Sequence, residues 1–542
     1  MHRDPRLLTN QAFDVVVVGG GIYGSWMAFH AAVAGLKVAL IEKSDWGSAT
    51  SSASSKLLHG GLRYLERYEF GLVRKSLRER RELSQRLPHQ VRPLRFLVPV
   101  YRDTRVGRWR MNAGLWLYDR LAGRRQPVGA HEWFSAPDFL KLLPSLKNDA
   151  LLGGYSYGDC GTDDARLVLE IVASAIRAGA VACHYVKADE LLTANGRATG
   201  VRVTDLESGS RFDVTGSIVI NAAGPWVNRQ FGRTNDNASP NPAGSHIPES
   251  AVRLTKGVHL VMPALESPHA VLLTSKSDGR VFFLIPWYGR TLLGTTDTDF
   301  HGDPESVSVE MSDIDYLLSA ANSYLQIPWT HDDIHGSFAG LRTLQEEAGR
   351  KASGVSREWL FEETVPGLWT SIGGKLTSAR VDAIEAVDRI LASLKRPRHH
   401  AFPEQEMAWC PDGRFFDWLR QTCSEAEAAG LDAETATECA RRHGARMADI
   451  IALVKTSPDL AARIVRDLPF CRAEVVHAAR SEMVRTLVDL LRRRIPLLIL
   501  TRLTQETITD VCDLAAPELG WDAARCAQEV ATVNSLTTAN RA

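Results

Sequence analysis

The sequence predicts an α/β protein with three parts: a Rossmann-like nucleotide-binding domain, an α+β domain interleaved with it, and a C-terminal helical domain. Three observations predict this. A run of four valines turns through a glycine cluster into an apolar helical pattern. The strand-like stretches INAAG and WTSIGG are placed to rejoin the same sheet. Past a Pro- and charge-rich segment at 395–406, apolar residues recur at helical spacing with few strand signals. A chain of 542 residues also exceeds what one core normally supports, so two or three domains are expected.

The first element needs care, because 15–36 carries no Asp, Glu, Lys or Arg and is long enough to span a bilayer. Consecutive valines followed by glycines in turn spacing and then AAVAGLKVALIE read better as a buried parallel strand, a helix and a second strand. Within this βαβ unit Gly19, Gly21 and Gly24 form G-x-G-x-x-G, and Glu42 ends the second strand. Gly19 permits the tight turn, Gly21 lets backbone approach a pyrophosphate, and Gly24 allows close helix–strand packing. The helix N-terminus offers unpaired N–H groups, and Glu42 can accept from ribose hydroxyls. The fingerprint does not separate FAD from NAD, since both present an ADP half to the turn.

The next stretch, TSSASSKLLHGGLRYLE (50–66), places Ser51, Ser52, Ser54 and Ser55 beside Lys56, His59, Gly60, Gly61, Arg63 and Tyr64. A flexible surface linker is one reading. Backbone pressed against an extended dinucleotide is the other, with small side chains permitting close passage and hydroxyls bonding phosphates and a ribityl chain.

SSASSKLLHGGLRYLERYEFGLV resembles the flavin-dependent, quinone-linked glycerol-3-phosphate dehydrogenase family. The likeness continues through GDCGTDDARLVL (158–169), INAAGPWV (220–227), TKGVHLVMP (255–263), FLIPWYGRTLLGTTDTDF (283–300), GLR (340–342) and GGKLTSAR (373–380), and SEMVRTLVDLLRRRIPLLIL is similar to that family's helical domain. The resemblance implies FAD, oxidation of sn-glycerol 3-phosphate to dihydroxyacetone phosphate, and electrons passed to a membrane quinone. It implies that Thr50, Ser51, Ser54, Ser55, Lys56, His59, Gly60 and Gly61 hug the cofactor, together with Ala223, Gly224, Gly374, Lys375, Leu376 and Thr377. His59 near the flavin makes covalent attachment conceivable, whereas the resemblance implies tight non-covalent binding.

A phosphate monoester carries nearly two negative charges, so its pocket needs convergent cations; one charge pair about 4 Å apart is worth about 4 kcal/mol at an effective dielectric near 20, before desolvation. By resemblance Arg63, Arg342, Arg357 and Lys375 are the cations and Tyr64 lines the same pocket. His259 is the expected base for the C2 hydroxyl, because an imidazole titrating near neutrality suits proton transfer. A histidine hydrogen-bonded within a strand is its plain alternative, with Arg342 or a water moving the proton. Lys375 follows Gly373 and Gly374 at a strand-to-helix turn that can stabilise negative charge. Two departures from the family stand out. Thr343 occupies the place after Arg342 where the family has proline, leaving the direction of Arg342 open, and the polar stretch 231–250 reads as a long turn-rich loop.

The nucleotide-binding pieces are expected near 14–75, 150–230 and 336–394 of a 1–394 oxidoreductase region whose intervening segments build the substrate domain. A linker at 395–406 and a helical domain at 407–542 follow. Lys plus Arg (64) equal Asp plus Glu (64), so no global field recruits nucleic acid. The eight cysteines are scattered without a C-x-x-C pair, which reads as free thiols in a reducing compartment, and the first residues lack the pattern of a cleaved leader.

Any quinone would then be met at a membrane surface. Residues 93–127 hold eight arginines against two aspartates with Phe96, Trp109, Trp116 and Tyr118 interleaved. That composition is an interfacial anchor or a solvated basic face. The resemblance favours an anionic membrane surface, hence a cytoplasmic protein held peripherally at the inner face of the plasma membrane, with a homodimer also conceivable. His331 and His335, like His399 and His400, lack a metal-ligand pattern, so no metal is expected. Arg492, Arg493 and Arg494 read as the solvated end of an amphipathic helix in preference to a nucleic-acid contact. Oxygen as acceptor, an amine or amino-acid oxidase, and a docking protein that keeps FAD structurally are the competing readings.

Overall fold

The computed structural model describes residues 1–123, 126–231, 252–346, 358–397 and 407–539; Arg357, His399, His400 and nearly all of the 231–250 stretch lie outside them.

The strand Phe13–Val18 lies between two parallel neighbours, Val38–Glu42 and Arg211–Asn221. Val181–His184 extends the sheet on one side and Leu368–Gly373 on the other, with Trp359–Val365 closing that edge antiparallel. Both faces of the central strands are covered, which is why Val15, Val16 and Val17 are all fully buried instead of alternating. The helices Ile22–Val33, Asp164–Arg177 and Ala379–Ser393 pack on this sheet. The uncharged stretch 15–36 is therefore strand, turn and helix, and among the described residues no helix is long and apolar enough to cross a membrane. INAAG and WTSIGG run in neighbouring parallel strands.

A second, ten-stranded sheet is mostly antiparallel. Its strand Val252–Pro263 pairs with Arg290–Gly294, Thr298–Phe300 and Gly336–Gln345, which sets Thr255 opposite Arg342 and His259 opposite Phe338. Leu151–Gly161 and Gly336–Gln345 fall inside pieces that the sequence assigns to nucleotide binding, yet both are strands of this second sheet. Their partners are far away in sequence, and no local pattern announces such pairing.

The helical domain, from Phe415–Ala429 to Ala523–Ala539, shares an apolar core with the second sheet: Phe96, Val261 and Phe338 pack in one cluster with Leu490, Leu497 and Ile508. Buried ion pairs fasten it to the first domain. Arg166 donates to Glu482 at 2.6 Å, and Arg493 and Arg494 both bond Asp45, which follows the second strand. Removing one partner of such a pair would leave an uncompensated buried charge, at a cost of about 3–5 kcal/mol.

These contacts correct the reading of the triple arginine. Arg493 is 6 % and Arg494 0 % exposed, because Asp45 and Asp489 supply counter-charges inside the interface. All eight cysteines are free.

Candidate active site

A cavity of about 850 Å³ runs from the glycine turn to the second sheet. At its nucleotide end the turn is built so that only glycine fits: Gly19 has φ +112°, and a Cβ on Gly24 would lie 1.9 Å from the Gly19 carbonyl oxygen. Gly21, Ile22 and Tyr23 at the helix start line the cavity, presenting the positive end of the helix to it. The Ser51 hydroxyl accepts from Ile22 N–H at 2.9 Å. Glu42 accepts from Gly20 N–H at 2.7 Å and from Ser44 N–H at 2.8 Å, which fixes its carboxylate against the cavity. Burial pushes its pKa up, and those two N–H donors oppose the shift.

Of the expected cofactor residues, Gly19, Gly21, Glu42, Thr50, Ser51, Ser54, Ser55, His59 and Gly61 line the cavity, as do Ala223, Gly224, Gly374, Lys375, Leu376 and Thr377. Three do not. Gly24 and Gly60 pack behind it, Gly60 donating to the Tyr118 hydroxyl at 2.9 Å. Lys56 is the substantive correction: its ammonium is buried on Asp164 at 2.5 Å and Ser52 O at 2.7 Å, so it braces the serine tract from behind. A buried lysine needs a paired carboxylate, and the helix starting at Asp164 brings one. Ser54 also donates its hydroxyl to Asp164 at 2.6 Å, and Thr50 to Leu341 O at 2.6 Å.

The other end gathers Arg63, Tyr64, His259, Arg342 and Lys375. The Lys375 ammonium sits 3.7 Å from the centre of the Tyr64 ring, and the Arg63 guanidinium 5.2 Å from that ring. Arg342 donates to Asp297 at 3.2 Å and to the Thr295 hydroxyl at 3.0 Å. Thr343 does not loosen it, because both residues lie inside the strand Gly336–Gln345 with their register set by Thr255 and Leu254. Gly257 lies beneath the guanidinium, where a Cβ would meet Arg342 Nη2 at 2.4 Å.

His259 is 1 % exposed and stacks on Phe338 with ring centres 4.9 Å apart. Its Nε2 is 2.9 Å from the Ser55 hydroxyl oxygen, while Nδ1 is buried without a hydrogen bond among the described residues. Burial first, then the charges of Arg342 and Lys56, pull its pKa down to about 3, so the ring is neutral at neutral pH.

Sequence reasoning missed Thr295 and Asp297, although TTDTDF contains them, and it missed Gly257 as the seat of Arg342. It also missed Arg105, Arg280 and Arg492 as lining residues. Arg105 pairs with Glu66 at 2.8 Å at the cavity wall. His331, set aside as a metal ligand, pairs with Asp315 at 2.9 Å.

A family described as FAD dependent oxidoreductase matches residues 14–381, and one described as the C-terminal domain of alpha-glycerophosphate oxidase matches 413–526. The chain is 37 % identical over 543 aligned positions to a glycerol-3-phosphate dehydrogenase of Mycobacterium leprae, covering 98 % of this chain and 88 % of that one. It is 35 % identical to a glycerol-3-phosphate dehydrogenase of Synechocystis, with 96 % of each chain covered. The structure of glycerol-3-phosphate dehydrogenase from Bacillus halodurans complexed with FAD superposes with a TM-score of 0.76 at 26 % identity, covering 98 % of this chain and 96 % of that one. The glycine cradle, the N–H donors at the helix start and the fixed Glu42 carboxylate as acceptor suit an FAD, and the cofactor is FAD. The chain belongs to the FAD-dependent glycerol-3-phosphate dehydrogenase family.

Proposed function

We propose that this protein oxidises sn-glycerol 3-phosphate to dihydroxyacetone phosphate and delivers the electrons to a membrane quinone. The observation that carries the reading is the convergence of Arg63, Arg342 and Lys375 around Tyr64 and His259, at the end of the cavity away from the glycine turn. Three cations suit a phosphate dianion, with the guanidinium groups able to bond it in bidentate fashion and the lysine acting as a point charge. Arg357, assigned to the same task by resemblance, lies outside the described residues.

FAD supplies the two-electron acceptor for the C2–H bond. The chain's own part is to hold the phosphate, orient C2 and take the hydroxyl proton. His259 is poised for the last task, being neutral and joined to Ser55. Burial first and the charge of Arg342 second keep it a weak base. A bound phosphate dianion offsets that charge and raises the basicity of the imidazole when substrate is present.

A surface suited to the membrane step lies on the helix Arg108–Ala122. Trp109 and Trp116 are 78 % and 57 % exposed on one face with Arg120, while Leu115 and Tyr118 are buried on the other. Tyr68 and Phe70, on elements packed beside this helix, are exposed as well. Aromatic rings interleaved with arginine fit an anionic lipid surface, which supports a protein held at the inner face of the plasma membrane.

Oxygen is the second reading, favoured by the match of 413–526 to the helical domain of an oxidase. Anaerobic addition of sn-glycerol 3-phosphate to the purified holoprotein tests the oxidation: bleaching of the flavin spectrum is expected, and a yellow spectrum that persists overturns it. Peroxide release in air, against reduction of a short-chain quinone, then separates the acceptors.

A further inference from the structure

Arg492 belongs to the helical domain yet lines the cofactor cavity, whereas the other described lining residues lie at or before Thr377. It sits on the five-residue π-helical turn Leu490–Arg494, which carries three consecutive arginines with different partners. Arg493 turns to Asp45 and to Asp489 at 2.8 Å, and Arg494 to Asp45 and to Glu482 O at 2.7 Å. The side chain of Arg492 makes no hydrogen bond or ion pair among the described residues.

Its surroundings leave it short of a counter-charge. The like charge that acts on it most is Arg493 and the opposite charge that acts on it is Asp164, whose oxygens already accept from Lys56, Ser54 and Ala165 N–H. Half-buried, Arg492 has its pKa pulled down to about 10, by burial first and by Arg493 second, and it remains charged at neutral pH. A half-buried cation without an anion is costly unless a ligand brings one.

The place of Arg492 says which ligand. Its turn is fastened through Asp45 to the segment that continues as Gly47, Ser48, Ala49, Thr50 and Ser51 along the cavity wall. Ser51 in turn touches the N–H of Ile22 at the helix start. A helix N-terminus and a lone guanidinium thus flank the same serine segment, and the group on FAD that answers two positive features there is its diphosphate bridge.

We propose that Arg492 is a ligand of the FAD pyrophosphate, carried into the cofactor site by the helical domain, so that docking of that domain completes the site electrostatically. The proposal rests on FAD as cofactor and is independent of the substrate and acceptor proposed above.

The test compares holoprotein of the wild type, Arg492→Gln and Arg492→Lys. FAD dissociation is followed by the fluorescence that rises when flavin leaves the protein, at low and high salt, and melting temperature is read with and without added FAD. Losing one charge-assisted contact should raise the FAD dissociation constant of Arg492→Gln about ten-fold and shallow its salt dependence. Arg492→Lys should lie between. Because the substitution removes repulsion with Arg493, the FAD-free variant should melt no lower than FAD-free wild type, while the rise on adding FAD shrinks.

Wild-type FAD retention in Arg492→Gln overturns the proposal. So does unchanged retention with a raised KM for sn-glycerol 3-phosphate, which would give the guanidinium to the substrate. A lower melting temperature with and without FAD at an unchanged dissociation constant makes Arg492 merely structural and overturns it too. Should Arg492→Gln not accumulate, Arg492→Lys decides: FAD loss several-fold faster than wild type supports the assignment, and equal loss refutes it.

Discussion

The Nε2 of His259 lies 2.9 Å from the hydroxyl of Ser55, joining a strand of the second sheet to the serine tract that lines the cofactor cavity. Serine and histidine here are not a nucleophile and its base. The ring is neutral and the serine hydroxyl fixes which face it presents, so the pair is arranged to receive a proton. His259→Asn should lower kcat by about a hundred-fold, the lower end of what a general base contributes, with a smaller change in KM. Ser55→Ala should cost less, because the stack on Phe338 still orients the ring. Steady-state kinetics decides: an unchanged kcat in His259→Asn would remove the residue from this role.

Phosphate recognition can be tested without removing a charge. A Cβ at Gly257 would stand 2.4 Å from Arg342 Nη2, the flexible end of a side chain, so Gly257→Ala should fold and displace the guanidinium. We expect KM for sn-glycerol 3-phosphate to rise about ten-fold or more in Gly257→Ala and in Arg342→Lys, which loses the bidentate fork. A KM that stays at the wild-type value in both would place the phosphate elsewhere.

Much of this was legible in the sequence for local reasons. Gly19, Gly21, Gly24 and Glu42 have fixed spacing because turn, strand and helix geometry fix it, and the four valines announce a strand covered on both faces. Lys56 and Arg494 were illegible for the opposite reason. Each points where a carboxylate more than a hundred residues away in sequence allows burial, Asp164 for the lysine and Asp45 for the arginine, and no carboxylate near either residue in sequence reveals the partner. Arg342 shows both cases: its identity was readable, while its seat over Gly257 and its bond to Asp297 needed the pairing of strands.

Acid should destabilise this fold well above the carboxylate range. Burial holds the pKa of His259 at about 3, those of His184 and His443 at about 4, and that of His477 at about 2. In the unfolded chain each titrates near 6.5. Below that pH the unfolded state binds protons that the folded state refuses, so stability is full above pH ~6.5 and is lost as pH falls toward the folded values. Each such histidine contributes a slope of about 1.4 kcal/mol per pH unit inside its window. Urea unfolding midpoints should therefore drop steadily from pH 7 to pH 5, and His184→Asn, which keeps a donor for Met483 O, should flatten that slope by about one proton. A flat profile over this range would contradict the burial of these rings as neutral groups.

Membrane contact is best tested on residues that do nothing else. Arg105 is a poor choice, since it pairs with Glu66 and lines the cavity, and Arg108 stacks over Trp133 at 4.1 Å. Trp109, Trp116, Arg110 and Arg120 project from the same helix without lining the cavity. Each arginine near an anionic surface is worth about 1 kcal/mol, and each indole adds its own buried area. The quadruple variant, with both tryptophans changed to serine and both arginines to glutamine, should bind vesicles containing anionic lipid at least ten-fold more weakly in sedimentation. Its turnover with a soluble dye acceptor should match wild type, because the cavity is untouched, while turnover with quinone embedded in the vesicles falls. Binding and quinone turnover both at wild-type levels would move the membrane face away from this helix; lost dye turnover would mean that the substitutions had reached the active site through Tyr118 and its neighbours.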